Sequence, residues 1–235
     1  MEKLARVAFV SGANKGIGFE IAKGLARAGV VVYLGARDEA RGRAAEQSLR
    51  DEGLDATWIA LDVTDSTSIE RARAAIERRS ERLDILVNNA GIATLSSEDP
   101  AVIYATNVFG LAEMMRMLTP LLARARGRVI NVSSSLGSLT RLSDREHPAS
   151  QAGPNFWQYA SSKAAVNALT VLFATTLAKA GISVNAVCPG YCATDLNGHA
   201  GPRSAEQGAQ IAVKMALTPE PGTGRYLDDS GVVPW

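Results

Sequence analysis

Short apolar runs and amphipathic stretches alternate along the whole chain. The first run is Val7-Ala8-Phe9-Val10. Glycines follow it, and then Ile17, Ile21, Ala22, Leu25 and Ala26 recur at helical spacing. Apolar runs at 30–35, 56–61, 84–87, 128–132 and 182–187 predict further strands, and 224–228 predicts a short last one. Between them the pattern predicts a charged helix ending near residue 51 and helices at 66–80, 101–125, 156–180 and 204–217. The polar segment 143–155, with Pro148, Gly153 and Pro154, reads as a loop. Strands that are apolar throughout, rather than on every second residue, are covered by helices on both faces. The expected fold is therefore α/β: one doubly wound parallel sheet of about seven strands flanked by helices. No repeat, low-complexity tract or linker divides the chain, so residues 1–235 are expected to form a single domain.

Composition narrows the function classes. Net charge is +1, which gives a nucleic-acid partner no electrostatic footing. Two cysteines, Cys188 and Cys192, and two histidines make neither a disulfide framework nor a metal set. The softest stretch, 164–178, is too short and too rich in Asn and Thr to span a bilayer. Met1 to Arg6 runs straight into the first strand, so no leader and a cytoplasmic setting are expected.

Polar residues gather where the strands end. The first strand feeds Gly12-x-x-x-Gly16-x-Gly18, with Asn14, Lys15 and Ile17 between the glycines. A strand, a glycine turn and a helix N-terminus make an anion site, because free N–H groups and the helix dipole point at one place. Arg37, Asp62, Asn88-Asn89, Ser134 and Pro189-Gly190 also fall at predicted carboxyl ends of strands. Ligands of doubly wound sheets sit outside those ends. Tyr159 and Lys163 lie four residues apart, about 6 Å along one helix face. A cation one turn away is expected to favour phenolate and lower the tyrosine pKa.

Taken together, Gly12-x-x-x-Gly16-x-Gly18, Asn88-Asn89-Ala90-Gly91, Asn107, Ser134, Tyr159-x-x-x-Lys163 and Pro189-Gly190 resemble the short-chain dehydrogenase/reductase family, and its carbonyl-reductase branch in particular. The resemblance covers nearly the whole chain and implies a Rossmann-type domain. It implies that Tyr159 exchanges a proton with the substrate oxygen while Ser134 hydrogen-bonds that oxygen. Lys163 binds the nicotinamide ribose, and Asn107 holds a helix distortion and a water linked to the lysine. It also implies that Asp62 and Val63 contact adenine, that Asn89, Ala90 and Gly91 pass along a ribose, and that Thr194 holds the carboxamide. Asp195 is expected to cap the following turn. Ser133 and Ser135 should face away from Ser134 by strand alternation.

The preferred cofactor is expected to be NADPH/NADP+ rather than NAD. An NAD site of this kind carries an acid at the end of the second strand, accepting from the ribose 2′-OH. Ala36 stands there instead, followed by Arg37, with Lys15 and Arg41 nearby. Three cations suit a 2′-phosphate, and Asn14 can add a hydrogen bond.

Between Ser134 and Tyr159 lie 24 residues, more than ordinary family members have and fewer than the carbonyl-reductase branch has. Packed over the catalytic helix, this segment would leave a monomer or a homodimer. With Leu136, Leu139, Phe156, Trp157 and Tyr191 it is expected to line the substrate mouth and to favour a hydrophobic aldehyde or ketone. The expected activity is NADPH-dependent reduction of a small-molecule carbonyl. The alternatives are alcohol oxidation and a non-catalytic NADP(H)-binding sensor.

Overall fold

The computed structural model describes residues 5–93 and 99–235. Met1 to Leu4, on which the expectation about a leader partly rests, lie outside the described residues. The strands are β1 (Val7–Ser11), β2 (Val31–Ala36), β3 (Ala56–Ala60), β4 (Ile85–Asn88), β5 (Arg128–Val132), β6 (Ser183–Val187), β7 (Tyr226–Asp228) and β8 (Gly231–Val232). They form one sheet in the order β3-β2-β1-β4-β5-β6-β7-β8. Every pairing is parallel except β7 with β8. The sheet is thus mixed, with an eighth strand beyond the seven expected. A two-residue strand after a tight turn carries too little pattern to be read from sequence.

The principal helices are α1 (Gly16–Arg27), α2 (Glu39–Asp51), α3 (Ser66–Ser80), α4 (Pro100–Tyr104), α5 (Leu111–Ala125), α6 (Leu139–Ser143), α7 (Trp157–Leu177) and α8 (Ala205–Leu217). Side-chain caps start several of them: Asp38 accepts from Arg41 N, Asp65 from Thr67 N, and Ser204 from Gln207 N. The α1 N-terminus has no side-chain cap.

Successive strand residues feed two separate cores. Val7 and Phe9 of β1, Leu86 of β4 and Val129 of β5 pack with α3 and α5. Ala8, Val10, Ile85, Val87 and Ile130 pack with α1 and α8. This period of two fixes the register, since a one-residue slip would exchange the two cores.

The long helix expected at 101–125 is present and carries, at Asn107, the distortion that the resemblance implied. Residues Ala105–Gly110 form a π-helical turn between α4 and α5. Gly110 permits the close approach, because a Cβ there would lie 2.7 Å from the Val63 carbonyl oxygen. The segment after β5 is not a plain loop. It contains α6 and the 3-10 turns Pro148–Ala152 and Pro154–Phe156. It reaches the first turn of α7 but leaves Val171 and Leu172 of that helix exposed, so it does not cover the helix as expected.

Phe9 is fully buried between β2 and the α3–α5 layer. Phe9→Ala is expected to lower unfolding free energy by about 3–5 kcal/mol, read as a shift of the urea midpoint at unchanged slope.

Candidate active site

The site lies at the carboxyl ends of the central strands. The glycine turn forms its floor. Gly12 and Gly16 have φ of +64° and +57°, where a Cβ is strained. Gly18 has no room for one: it would lie 2.3 Å from both Gly12 O and Asn89 Nδ2. Asn89 Nδ2 donates to Ser11 O at 3.0 Å and to Gly12 O at 3.1 Å. Ser11 Oγ accepts from Asn89 N and Ala90 N, each at 3.0 Å. The Asn89 side chain therefore braces the turn from the end of β4. Its partner Ser11 escaped the sequence reading. The only cue was a polar residue closing an apolar strand.

Opposite the turn stands the loop after β6. A Cβ on Gly16 would lie 3.6 Å from Thr194 Cγ2, so these two residues are the facing walls of one groove. Pro189 and Gly190 open this loop, Gly190 with φ of +79°. The turn is capped by Thr194 with Asn197, not by Asp195 as expected, and Asp195 serves another purpose. It pairs with Lys15 across the groove and with His199 Nε2 at 2.9 Å. These contacts hold the Asp195 carboxyl below its ordinary range, the Lys15 hydrogen bond contributing most.

The three expected cations are differently disposed. Lys15 is engaged by Asp195. Arg41 Nε leans towards Asp38 at 3.8 Å. Arg37 is exposed and forms no ion pair among the described residues. Asp62 faces Thr64: its Oδ1 accepts from Thr64 N at 2.9 Å and Oγ1 at 2.7 Å. Burial raises the Asp62 pKa, but these hydrogen bonds and the Arg37 charge carry it below the ordinary value. Val63 is buried. Asn14 forms no side-chain hydrogen bond among the described residues. The uncapped N–H groups beginning at Gly16 and the exposed Arg37 fit a dinucleotide phosphate.

The second half of the site is built on α7. Tyr159 is half-buried there and Lys163 is 5% exposed. Lys163 Nζ donates to Val132 O at 2.8 Å and lies 5.6 Å from the Tyr159 ring centre. A Cβ on Gly91 would sit 3.6 Å from that nitrogen and 3.4 Å from Asn107 Oδ1. Ser134 leaves β5 in extended conformation and caps the 3-10 turn Ser135–Gly137. Its side chain lies on the Tyr159 side of the turn, near enough to bear on the phenol. Ser133 Oγ donates to Asn167 Oδ1 at 2.6 Å, so it too faces α7, and Ser135 begins a 3-10 turn where strand alternation no longer applies.

Burial pushes the Tyr159 phenol up to about 12, and the Ser134 hydrogen bond only partly opposes this. The expected acidification by Lys163 does not occur. Desolvation brings the lysine itself down to about 8, and its ammonium is aimed at a backbone carbonyl rather than at the phenol oxygen.

Asn107 sits in the π-helical turn and is 1% exposed. Its Oδ1 accepts from Ile92 N, and its Nδ2 donates to Ile92 O, each at 2.9 Å. Nδ2 also donates to Ser162 Oγ at 3.0 Å, and Ser162 donates to Tyr159 O at 2.8 Å. Asn107 thus fastens the chain after β4 to the backbone of the tyrosine. The polar interior of α7 (Ser162, Asn167 and Thr170) was not singled out from sequence. Thr170 Oγ1 accepts from Asn131 Nδ2 at 2.9 Å, and Asn131 Oδ1 accepts from Asn88 Nδ2 at 2.9 Å.

Beside this centre lies a hollow of about 300 Å³ lined by Leu136, Leu142, Ala149, Phe156, Trp157 and Ala160 among others. Leu139 and Tyr191, expected at the mouth, lie outside its lining and are exposed. Cys188 and Cys192 are both buried, and burial raises both thiols. Cys192 Sγ turns inward to Pro189 O at 3.3 Å.

The family model for short chain dehydrogenases matches residues 6–205. The chain belongs to the short-chain dehydrogenase family. It is 36% identical to bovine (Bos taurus) carbonyl reductase [NADPH] 1, over 97% of this chain and 98% of that protein. It is 32% identical to (-)-isopiperitenone reductase of Mentha piperita, over 94% and 95%. Among solved structures, the NADPH-bound carbonyl reductase from chicken fatty liver superposes with a TM-score of 0.86 at 27% identity, covering 98% of this chain and 99% of that one. The alignment to the bovine protein spans 273 positions against 235 residues here, so that relative carries segments this family member lacks. No helix among the described residues is long and apolar enough to cross a membrane.

The buried lysine has a stability signature. Its folded pKa, about 8, lies below the ordinary 10.5, so the unfolded chain binds the extra proton between those values. The cost of burying the charge is full below pH 8, shrinks as pH rises and is gone above 10.5. Lys163→Met is expected to stabilise the protein by up to ~3 kcal/mol at pH 7, with the gain fading towards pH 10.5. Urea unfolding of both proteins across that range is the measurement.

Proposed function

We propose that this protein is an NADPH-dependent carbonyl reductase. The observation that carries the reading is the meeting of Ser134, from the end of β5, with Tyr159, from α7, above the buried ammonium of Lys163. In the bound state the reduced nicotinamide supplies a hydride for the carbonyl carbon. The residues of this chain do the rest. The Ser134 hydroxyl donates to the substrate oxygen and stabilises the charge that develops there. Tyr159 gives its proton to that oxygen. A phenol held near 12 is fully protonated at neutral pH, so it is an acid in waiting and not a base. It is still a stronger acid than the aliphatic alcohol that it forms. The protonated phenol is the form that reduction uses.

Lys163 holds the nicotinamide ribose from beneath, through the opening left by the missing side chain of Gly91. Asn107 holds the π-helical turn and, through Ser162, the Tyr159 backbone; any water that links it to the lysine lies between Asn107 and Lys163 Nζ. The α1 N-terminus and its uncapped N–H groups take the pyrophosphate. Arg37, which has no carboxylate partner among the described residues, takes the 2′-phosphate, with Lys15 and Arg41 available once they leave Asp195 and Asp38, while Asp62 and Val63 border the adenine. Asn14, Ile17, Ala90, Pro189, Gly190 and Thr194 complete the groove. The names of the relatives agree with this cofactor and with a carbonyl substrate. The apolar hollow beside Phe156 and Trp157 suits a hydrophobic aldehyde, ketone or quinone.

A panel of such carbonyls, followed by loss of NADPH absorbance, tests the activity. Tyr159→Phe is expected to abolish turnover and to leave NADPH affinity within about twofold. Turnover surviving in that variant would overturn the role of the tyrosine. Tight cofactor binding with no turnover on any carbonyl would favour the sensor reading. Arg37→Ala is expected to weaken NADPH binding about 10–100-fold and to leave NADH unchanged, since only NADPH carries the 2′-phosphate. Fluorescence titration with both cofactors reads that difference.

A further inference from the structure

The C-terminal tail touches neither the groove nor the hollow, yet it is tied to the catalytic serine. Tyr226, on β7, is 1% exposed. Its hydroxyl donates to Ser134 O at 2.6 Å, across 92 residues of chain. Its ring stacks on Trp235, the last residue, at 5.4 Å between centres and 23° between planes. The tail is held in turn by the segment that Ser134 begins. Ser138 Oγ donates to Pro234 O at 2.6 Å, and Thr140 donates to Trp235 O through its N at 3.1 Å and its Oγ1 at 2.7 Å. Arg141 closes the loop on Asp228 at 2.7 Å.

Ser134 needs such support. It is the second residue past the end of β5, where the sheet no longer dictates the peptide plane. Its own hydroxyl already accepts weakly from Leu136 N at 3.3 Å, a turn contact that competes with the direction towards Tyr159. The Ser134 carbonyl fixes the peptide that follows, and its partners are Gly137 N within the turn and the Tyr226 hydroxyl from outside it. The second bond is the one that ties the turn to the sheet.

We infer that Tyr226 is a positioning residue: its hydroxyl, clamped by the Trp235 stack, holds the Ser134 backbone so that the serine side chain meets the substrate oxygen. This rests on the proposed role of Ser134. Tyr226 does not touch substrate, and a phenylalanine would keep its ring, its stack and its place in the core while losing only the strap.

The test is a double-mutant cycle in the full chain, with NADPH and one turned-over carbonyl. Tyr226→Phe is expected to lower kcat about tenfold, as the loss of one hydrogen bond of ordinary strength predicts, with NADPH Kd unchanged. In a Ser134→Ala background, assayed at higher enzyme concentration, the same substitution is expected to cost nothing further. An equal loss in both backgrounds, or no loss in either, overturns the proposal. If Ser134→Ala alone leaves kcat unchanged, the serine reading itself fails, a result distinct from failure of the strap. Should Tyr226→Phe not fold, Trp235→Leu keeps the hydroxyl and releases its clamp. It is expected to show a smaller loss of kcat with the same indifference in the Ser134→Ala background, and unchanged kcat would overturn the proposal.

Discussion

A buried ammonium group sets the terms for this molecule. Lys163 brings its charge to a place that is 5% exposed and gives it, among the described residues, one hydrogen-bond partner, the Val132 carbonyl at the end of β5. An interior charge with so few ligands is costly, and the protein offsets that cost elsewhere. The rest of the site follows from keeping it there. Helix α7 must lie against the ends of β5 and β6, its inward face must carry Ser162, Asn167 and Thr170, and each of these must find a partner. The π-helical turn supplies one partner, the extended chain after β5 another, and Asn131 in the central strand a third.

The two halves of the groove illustrate different ways of making room. On the phosphate side the backbone itself is the surface. Glycines leave amide groups bare, and Asn89 and Ser11 hold the turn from behind. On the chemical side the surface is made of side chains from separate elements. Neither half is complete in any one stretch of chain. Lys15 and Asp195 are 180 residues apart yet share one ion pair.

Much of this was legible in the sequence. The apolar runs located every long strand, and the alternating elements specified the doubly wound sheet, because a buried parallel strand cannot be written in any other way. The strand ends carried Gly12, Asp62, Asn89 and Ser134, while Tyr159 and Lys163 were expected on the long helix, where α7 carries them. Strand alternation did not order the three serines, because β5 ends at Val132 and Ser135 already belongs to a 3-10 turn.

Tertiary structure decided the rest, for reasons of distance and dielectric. A pattern of residues cannot say whether two groups four apart face each other through low-dielectric protein or point at different partners. Here burial raises the Tyr159 phenol and lowers Lys163, and the ammonium turns to the Val132 carbonyl rather than to the phenol. The distortion at Asn107 depends on Ile92 and Ser162, residues 15 and 55 positions away. The disposition of Lys15, Arg41 and Arg37 depends on where Asp195 and Asp38 come to rest. Local sequence therefore determined the strands, the helices and the list of reactive groups. Which group is charged, paired or free was set by contacts between elements far apart in the chain, where the fold alone controls separation and exposure to water.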